Sequence, residues 1–235
     1  MSFGFVLGNG VSRLELNLQT LKELGPTYGC NALHREFAPT VLVSTDKPIS
    51  ESIQHSGYAS EHRMYTRKPI PGLGAHRVPD DYFGFSSGPI AVALAAIDQN
   101  RAAYLIGFDM GPTAGDRFNN VYADTEFYKK SSARPTYTGN WVKQLQRICK
   151  DFPNVAFFRV MGKTTAAIAE LRGIKNLAAI IMVTAVAACA PAPVKVVPVP
   201  IPLPAPMPAP PPAMPLPPGG AALSMTIPPV GLAGV

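Results

Sequence analysis

The feature that most constrains this chain is the regular exchange of short apolar runs with stretches of helical period. Phe3–Leu7, Thr27–Cys30, 41–44, 63–66, 103–106 and 155–160 are each too short for a buried helix and read as strands. Leu14, Leu18 and Leu21 recur at helical spacing, which predicts a helix over 12–24 with Ser12 as its N-cap. Ile49 and Ile53 suggest one or two further turns. The stretch SSGPIAVALAAIDQN predicts a helix with Pro89 near its first position, and 140–150 an amphipathic helix. Strands of this kind, separated by helices, specify an α/β protein: a Rossmann-like, doubly wound, mainly parallel sheet covered on both faces.

The alternation ends near Asn176, and composition marks the same place. All 15 acidic and 20 of the 21 basic residues precede it, and beyond it the only charge is Lys195. The expected organisation is a Rossmann-like nucleotide-binding domain over 1–176, an apolar segment over 177–190 and a Pro/Ala-rich tail over 191–235. The apolar segment falls short of the roughly 20 residues that span a bilayer, and proline follows it. It is expected to pack on the domain, to contact a membrane or to join copies in a homo-oligomer. From Pro198 to Pro210 alternate residues are proline, so the tail is expected to be extended or disordered. The opening MSFGFVLGNG lacks a basic stretch and reads as a strand rather than a signal peptide. Cys30, Cys149 and Cys189 are odd in number and far apart, against both a disulfide framework and a structural zinc site. With neither a dense Lys/Arg stripe nor an aromatic-basic repeat, nucleic acid is not the expected partner.

Ligands of open α/β sheets bind beyond the carboxyl ends of the strands. Here those ends carry small polar residues: Gly8, Asn9, Gly10, Ser12 and Arg13 after the first strand, Asn31 after the second and Asp46 after the third. Ser86, Ser87 and Gly88 open the central helix, and Asp109 follows the strand after it. Glycines let the backbone approach a ligand, helix N-termini offer amides to a phosphate, and Arg13 could add a charged contact. The set points to an anionic small molecule.

In that order GNGVSR, GCNAL, SSG and AAYLIGFDM resemble the bacterial sialyltransferases that use CMP-sialic acid, and the first turn is also similar to that of 6-hydroxymethylpterin pyrophosphokinases. The segment GDRFNNVYADTEFYKKSSARPTYTGNW resembles small proteins of tailed bacteriophages with this domain. The resemblance covers roughly residues 2–176. It implies a nucleotide-binding transferase, glycosyltransferase-like, with a CMP-sugar as substrate and the host cytoplasm or the phage particle as its location. It places Gly8, Asn9, Gly10 and Ser12 at the phosphates, Asn31 at the phosphate or sugar, and Ser86, Ser87 and Gly88 at the cytidine-ribose. Tyr122 and Tyr128 fall where those enzymes place tyrosines on the departing phosphate. Their general-base histidine has no counterpart: the segment reads PTYTGNW, leaving Tyr137 as its titratable group. The pyrophosphokinase alternative has Asp46 and Asp109 holding Mg²⁺ against a diphosphate. A third reading is a non-catalytic phage component with the tail as a tether. His34, close to Asn31, is a candidate acid or base. Lys129 and Lys130 lie in a polar loop over 111–138 that is read as a lid over an anionic ligand.

Overall fold

The computed structural model describes residues 2–163 and 171–178. Along the chain run β1 (Phe3–Leu7), a 3₁₀ turn (Val11–Glu15), α1 (Leu18–Leu24), β2 (Thr27–Cys30), a second 3₁₀ turn (Asn31–Arg35), β3 (Val41–Val43), α2 (Lys47–His55), α3 (Tyr58–Glu61), β4 (Met64–Thr66) and β5 (His76–Arg77). A third 3₁₀ turn (Asp80–Tyr82), α4 (Ser87–Ile97), β6 (Ala102–Ile106), α5 (Gly139–Asp151), β7 (Ala156–Met161) and β8 (Ile174–Ala178) complete it.

The strands form one sheet in the order β5-β4-β3-β2-β1-β6-β7-β8, with every described pairing parallel. The chain winds outward from β1 to β5, returns through α4 and winds outward again from β6. The pleat sorts side chains between two cores. Val6, Val41, Val43 and Leu105 meet α4 and α5, while Phe5, Leu7, Leu42 and Ile106 meet Leu21 of α1, Leu33 and the Ile49–Ile53 stripe of α2. Covered on both faces, the inner strands are near-continuous apolar runs. α4 is buried around almost its whole circumference because its alanines fit between the sheet and α5.

Three expectations change. The helix over 12–24 is broken: a 3₁₀ turn comes first, and α1 starts only at Leu18, where the Asn17 side chain accepts from the Gln19 amide. Ser12 is therefore not its N-cap; the residue is buried and its hydroxyl turns toward Asp109. The edge strand β5 was not expected. Nor was β8, which runs through the expected boundary at Asn176 as far as Ala178, with Leu177 packed on the α1/α2 core. The rest of the apolar segment and the proline-rich tail over 191–235 lie outside the described residues. Among the described residues no helix is long and apolar enough to cross a membrane.

Candidate functional site

The winding reverses between β1 and β6, where the chains leaving the two strands diverge and open a crevice, the usual place for a ligand in such sheets. A cavity of about 460 Å³ lies there. Its floor is two turns pressed together. The Gly8 amide donates to the Ile106 carbonyl at 2.8 Å and the Gly10 amide to the Gly107 carbonyl at 2.9 Å. A methyl group on Gly8 would stand 2.5 Å from the Gly107 oxygen, and one on Gly10 would stand 2.6 Å from both that oxygen and the Asp109 carboxylate. Close approach, rather than a positive φ, requires these glycines.

Beneath and along the floor lie groups engaged with the turns themselves; Arg13 and Arg159 stay out of the cavity, whereas Asp109 lines it. Arg13, 2% exposed, donates to the Gly8 carbonyl (3.2 Å), to Asn9 Oδ1 (2.9 Å), to Glu36 (2.6 Å) and to the Tyr122 hydroxyl (3.1 Å). Asp109, 3% exposed, accepts from the Ser12 amide at 3.1 Å with one oxygen and from the Ser12 hydroxyl with the other. Arg159 reaches the same turn from β7, donating to the carbonyls of Phe108 (2.9 Å) and Asp109 (2.7 Å). Burial lowers its affinity for its proton, an effect opposed by the Asp109 charge.

Around the rim the polar groups are only partly engaged. Asn31 holds a left-handed backbone (φ 51°), a conformation asparagine tolerates better than most side chains. Its side chain accepts from the Ser87 hydroxyl at 3.1 Å and donates to Asp46 Oδ2 at 3.3 Å. Ser87 also receives the Thr45 amide at 3.0 Å, so β2, β3 and the start of α4 are tied by one hydrogen-bonded chain. Trp141 of α5 donates its indole N–H to Ser86 Oγ at 3.1 Å. The amides of Asn9, Ser87 and Gly88 have no acceptor among the described residues, as expected at a helix start and a free turn. Lys129 lies 5.8 Å from the Phe118 ring centre and forms no ion pair among the described residues.

The loop over 111–138, read from the sequence as a lid, is tied in this structure to the turns after β1 and β2. Val11 donates to Asn119 Oδ1 (2.9 Å), Val121 to the Asn9 carbonyl (2.8 Å) and Ala32 to the Tyr128 hydroxyl (3.2 Å), while Arg35 reaches Thr125 (3.1 Å). These four contacts join it to both the β1 and β2 turns.

Of the residues singled out in the sequence, Gly8, Asn9, Gly10, Asn31, Asp46, Ser86, Ser87, Gly88, Asp109 and Lys129 line the cavity. Ser12, Arg13, Tyr122, Tyr128, His34 and Tyr137 do not. Arg13 is engaged inward, so its charge holds the turn and does not meet a ligand. The Tyr122 hydroxyl donates to Glu36 and receives Arg13. Burial is the main cause that holds both Tyr122 and Tyr128 protonated far above the usual phenol range. His34 sits behind Asn31, with Nδ1 3.0 Å from the Asn31 carbonyl and its ring edge on Tyr58; burial is the main cause that lowers its pKa. Tyr137 is 75% exposed. Cys30 reaches the cavity wall, but burial pushes its thiol up to about 12, against a nucleophilic role.

The Mg²⁺ pair does not fit. Both oxygens of Asp109 are engaged by Ser12, which leaves Asp46 as a lone carboxylate, and among the described residues no group of three or more His, Cys, Asp or Glu side chains gathers. Sequence reasoning did not place Arg67, Asn119 or Trp141 at the site, yet all three line the cavity. Arg67 follows β4 and was legible as a strand-end residue. It reaches the cavity while donating to the carbonyls of Phe83 (2.7 Å) and Phe85 (2.6 Å).

No family model and no curated protein matches the chain. Among solved structures it is similar to the sialyltransferase CstII from Campylobacter jejuni in complex with a substrate analogue, cytidine-5′-monophosphate, at 15% identity and a TM-score of 0.41, over 74% of this chain and 84% of that one.

Proposed function

We propose that this cavity binds a nucleotide and that the chain is a glycosyltransferase-like transferase acting on a CMP-sugar. The observation that carries the reading is the convergence of the β1, β2, β3 and β6 ends and the α4 N-terminus on one cavity at the reversal of the winding. The motif order GNGVSR, GCNAL, SSG and AAYLIGFDM supports cytidine as the nucleoside.

The phosphate is placed at the open amides of Asn9, Ser87 and Gly88. There the α4 dipole favours negative charge, and Lys129 adds a full positive one. In transfer, the oxygen of an acceptor hydroxyl bonds to the sugar's anomeric carbon as the bond from that carbon to the phosphate oxygen breaks; the electron pair of the broken bond stays on the phosphate, which takes up the acceptor's proton. Amides already aimed at that oxygen stabilise the developing charge without reorganising. The pinned 111–138 wall keeps them in place and limits water.

Titration calorimetry with CMP, CTP and ATP, with and without Mg²⁺, tests this. The expected result is CMP binding that is indifferent to metal and that weakens several-fold in Lys129→Ala, with thermal stability unchanged. An absence of nucleotide binding, or binding that requires Mg²⁺, contradicts the proposal; the first result leaves the non-catalytic role.

A further inference from the structure

Ser86 and Ser87 stand side by side at the start of α4, and their hydroxyls are engaged in opposite ways. Ser87 is buried and complete. Its hydroxyl donates to Asn31 Oδ1 at 3.1 Å, and its oxygen accepts from the Thr45 amide at 3.0 Å and the Thr45 hydroxyl at 2.9 Å. Ser86 is half-buried and incomplete. It is the N-cap of α4, yet its side chain caps no amide. A serine there ordinarily accepts from the second or third helical amide, and the third position is Pro89, which has no N–H. Partners come from α5 instead. Trp141 donates its indole N–H to Ser86 Oγ at 3.1 Å, and Gln144 Oε1 accepts from the Ser86 amide at 3.0 Å. Three residues apart on one helix, Trp141 and Gln144 share a face of α5 and hold Ser86 from the same side. The Ser86 hydroxyl hydrogen is left over. It has no acceptor among the described residues, and Ser86 and Trp141 both line the cavity.

Resting on the nucleotide reading above, we infer that Ser86 donates this hydrogen to an oxygen of the bound phosphate and that Trp141 is the positioning residue that directs it. A hydroxyl whose oxygen already receives an N–H has fewer directions left for its own hydrogen. The open amides of Ser87 and Gly88 come next in the chain, so three donors meet at the first turn of α4. With the anion in place, indole N–H, hydroxyl and phosphate form one chain in which each bond polarises the next. The Trp141 ring packs against the α4/α5 core while its polar end acts on the ligand through Ser86.

Trp141 is the one tryptophan of the chain, so its indole N–H gives a single signal in a ¹⁵N-correlated proton spectrum. CMP is expected to shift that signal saturably, with the same midpoint as the Ser87 and Gly88 amides. Cytidine, which lacks the phosphate, is expected to leave it in place. In calorimetry Ser86→Ala is expected to weaken CMP about tenfold, the loss of one hydrogen bond to a charged group. Trp141→Phe keeps an aromatic ring and removes the donor. It is expected to weaken CMP about threefold in the parent protein and to add no loss beside Ser86→Ala. An equal loss in both backgrounds makes Trp141 a packing residue and overturns the inference. So does an indole signal that saturating CMP leaves unmoved, or that cytidine moves as far. That signal is read on the parent protein, so it decides even where Trp141→Phe lowers the melting temperature. If CMP does not bind at all, the nucleotide reading itself fails; if CMP binds and the coupling is missing, this inference fails alone.

Discussion

The two ends of the sheet carry polar clusters of similar make-up and opposite character. At the amino-terminal edge, Arg63 clasps Asp98 with two bonds of 2.7 and 2.9 Å. The Tyr28 hydroxyl donates to Asp98 at 3.0 Å, and Asn100 donates to that hydroxyl at 3.0 Å and to the Ala95 carbonyl at 2.8 Å. Each of these groups ends on another, and burial is the main cause that raises the Tyr28 pKa well above the usual phenol range. At the carboxyl edge there are two layers. The lower one, Arg13 with Glu36 and Tyr122, and Asp109 with Ser12, is as closed as the far end. The upper one leaves the amides of Asn9, Ser87 and Gly88 and one oxygen of Asp46 without hydrogen-bond partners among the described residues, and the Lys129 ammonium without an ion pair there, with only the Phe118 ring 5.8 Å away. A closed network has no group left for a ligand, while donors held open at a cavity have capacity for one.

The comparison breaks first at Arg13. Arg13→Ala leaves the Gly8 carbonyl and Tyr122 without their buried donor, while Glu36 is half exposed and stays solvated, so stability should fall by about 2–3 kcal/mol in chemical denaturation. CMP binding should fall with it, because the β1 turn loses its support. A stable Arg13→Ala protein that no longer binds CMP would instead put Arg13 in contact with the ligand. At the other end, the Arg63–Asp98 pair is partly exposed, so Asp98→Ala is expected to lower stability by only about 1–2 kcal/mol and to leave CMP affinity unchanged.

The smallest expected effect is on pH. The unfolded chain takes up a proton at His34 near a pH of about 6.5, whereas the folded site, where burial lowers the imidazole pKa, resists it. Stability therefore falls as pH drops below that value, and His34→Gln should remove this part of the loss in melts at pH 7 and pH 5.

The sheet was legible because its inner strands are buried on both faces and so read as unbroken apolar runs. The edge strands were not. His76 and Arg77 of β5 are exposed, and β8 (IKNLA) interrupts its apolar positions with Lys175 and Asn176, so neither carries the signal of a core strand. At the cavity, residues whose contribution is position in the backbone were legible: Gly8, Gly10, Asn31 and Ser87 each occupy a strand end or a helix start. The direction of a long side chain was not. Arg13 and Lys129 are both cations near the cavity, and nothing local to either residue says that one turns under the floor to Glu36 while the other stays at the mouth. That choice is made by Tyr122 and Glu36, which are distant in sequence and meet Arg13 only once the sheet forms.

The central claim is that the open upper layer, and not the closed network at the far edge, receives an anionic ligand. The most direct measurement is a CMP titration followed through backbone amide chemical shifts. The account predicts saturable shifts at Asn9, Gly10, Ser87 and Gly88 with little change at Tyr28, Asp98 and Asn100. Shifts centred on Tyr28 and Asn100, or no saturable shift at the α4 N-terminus, would contradict it.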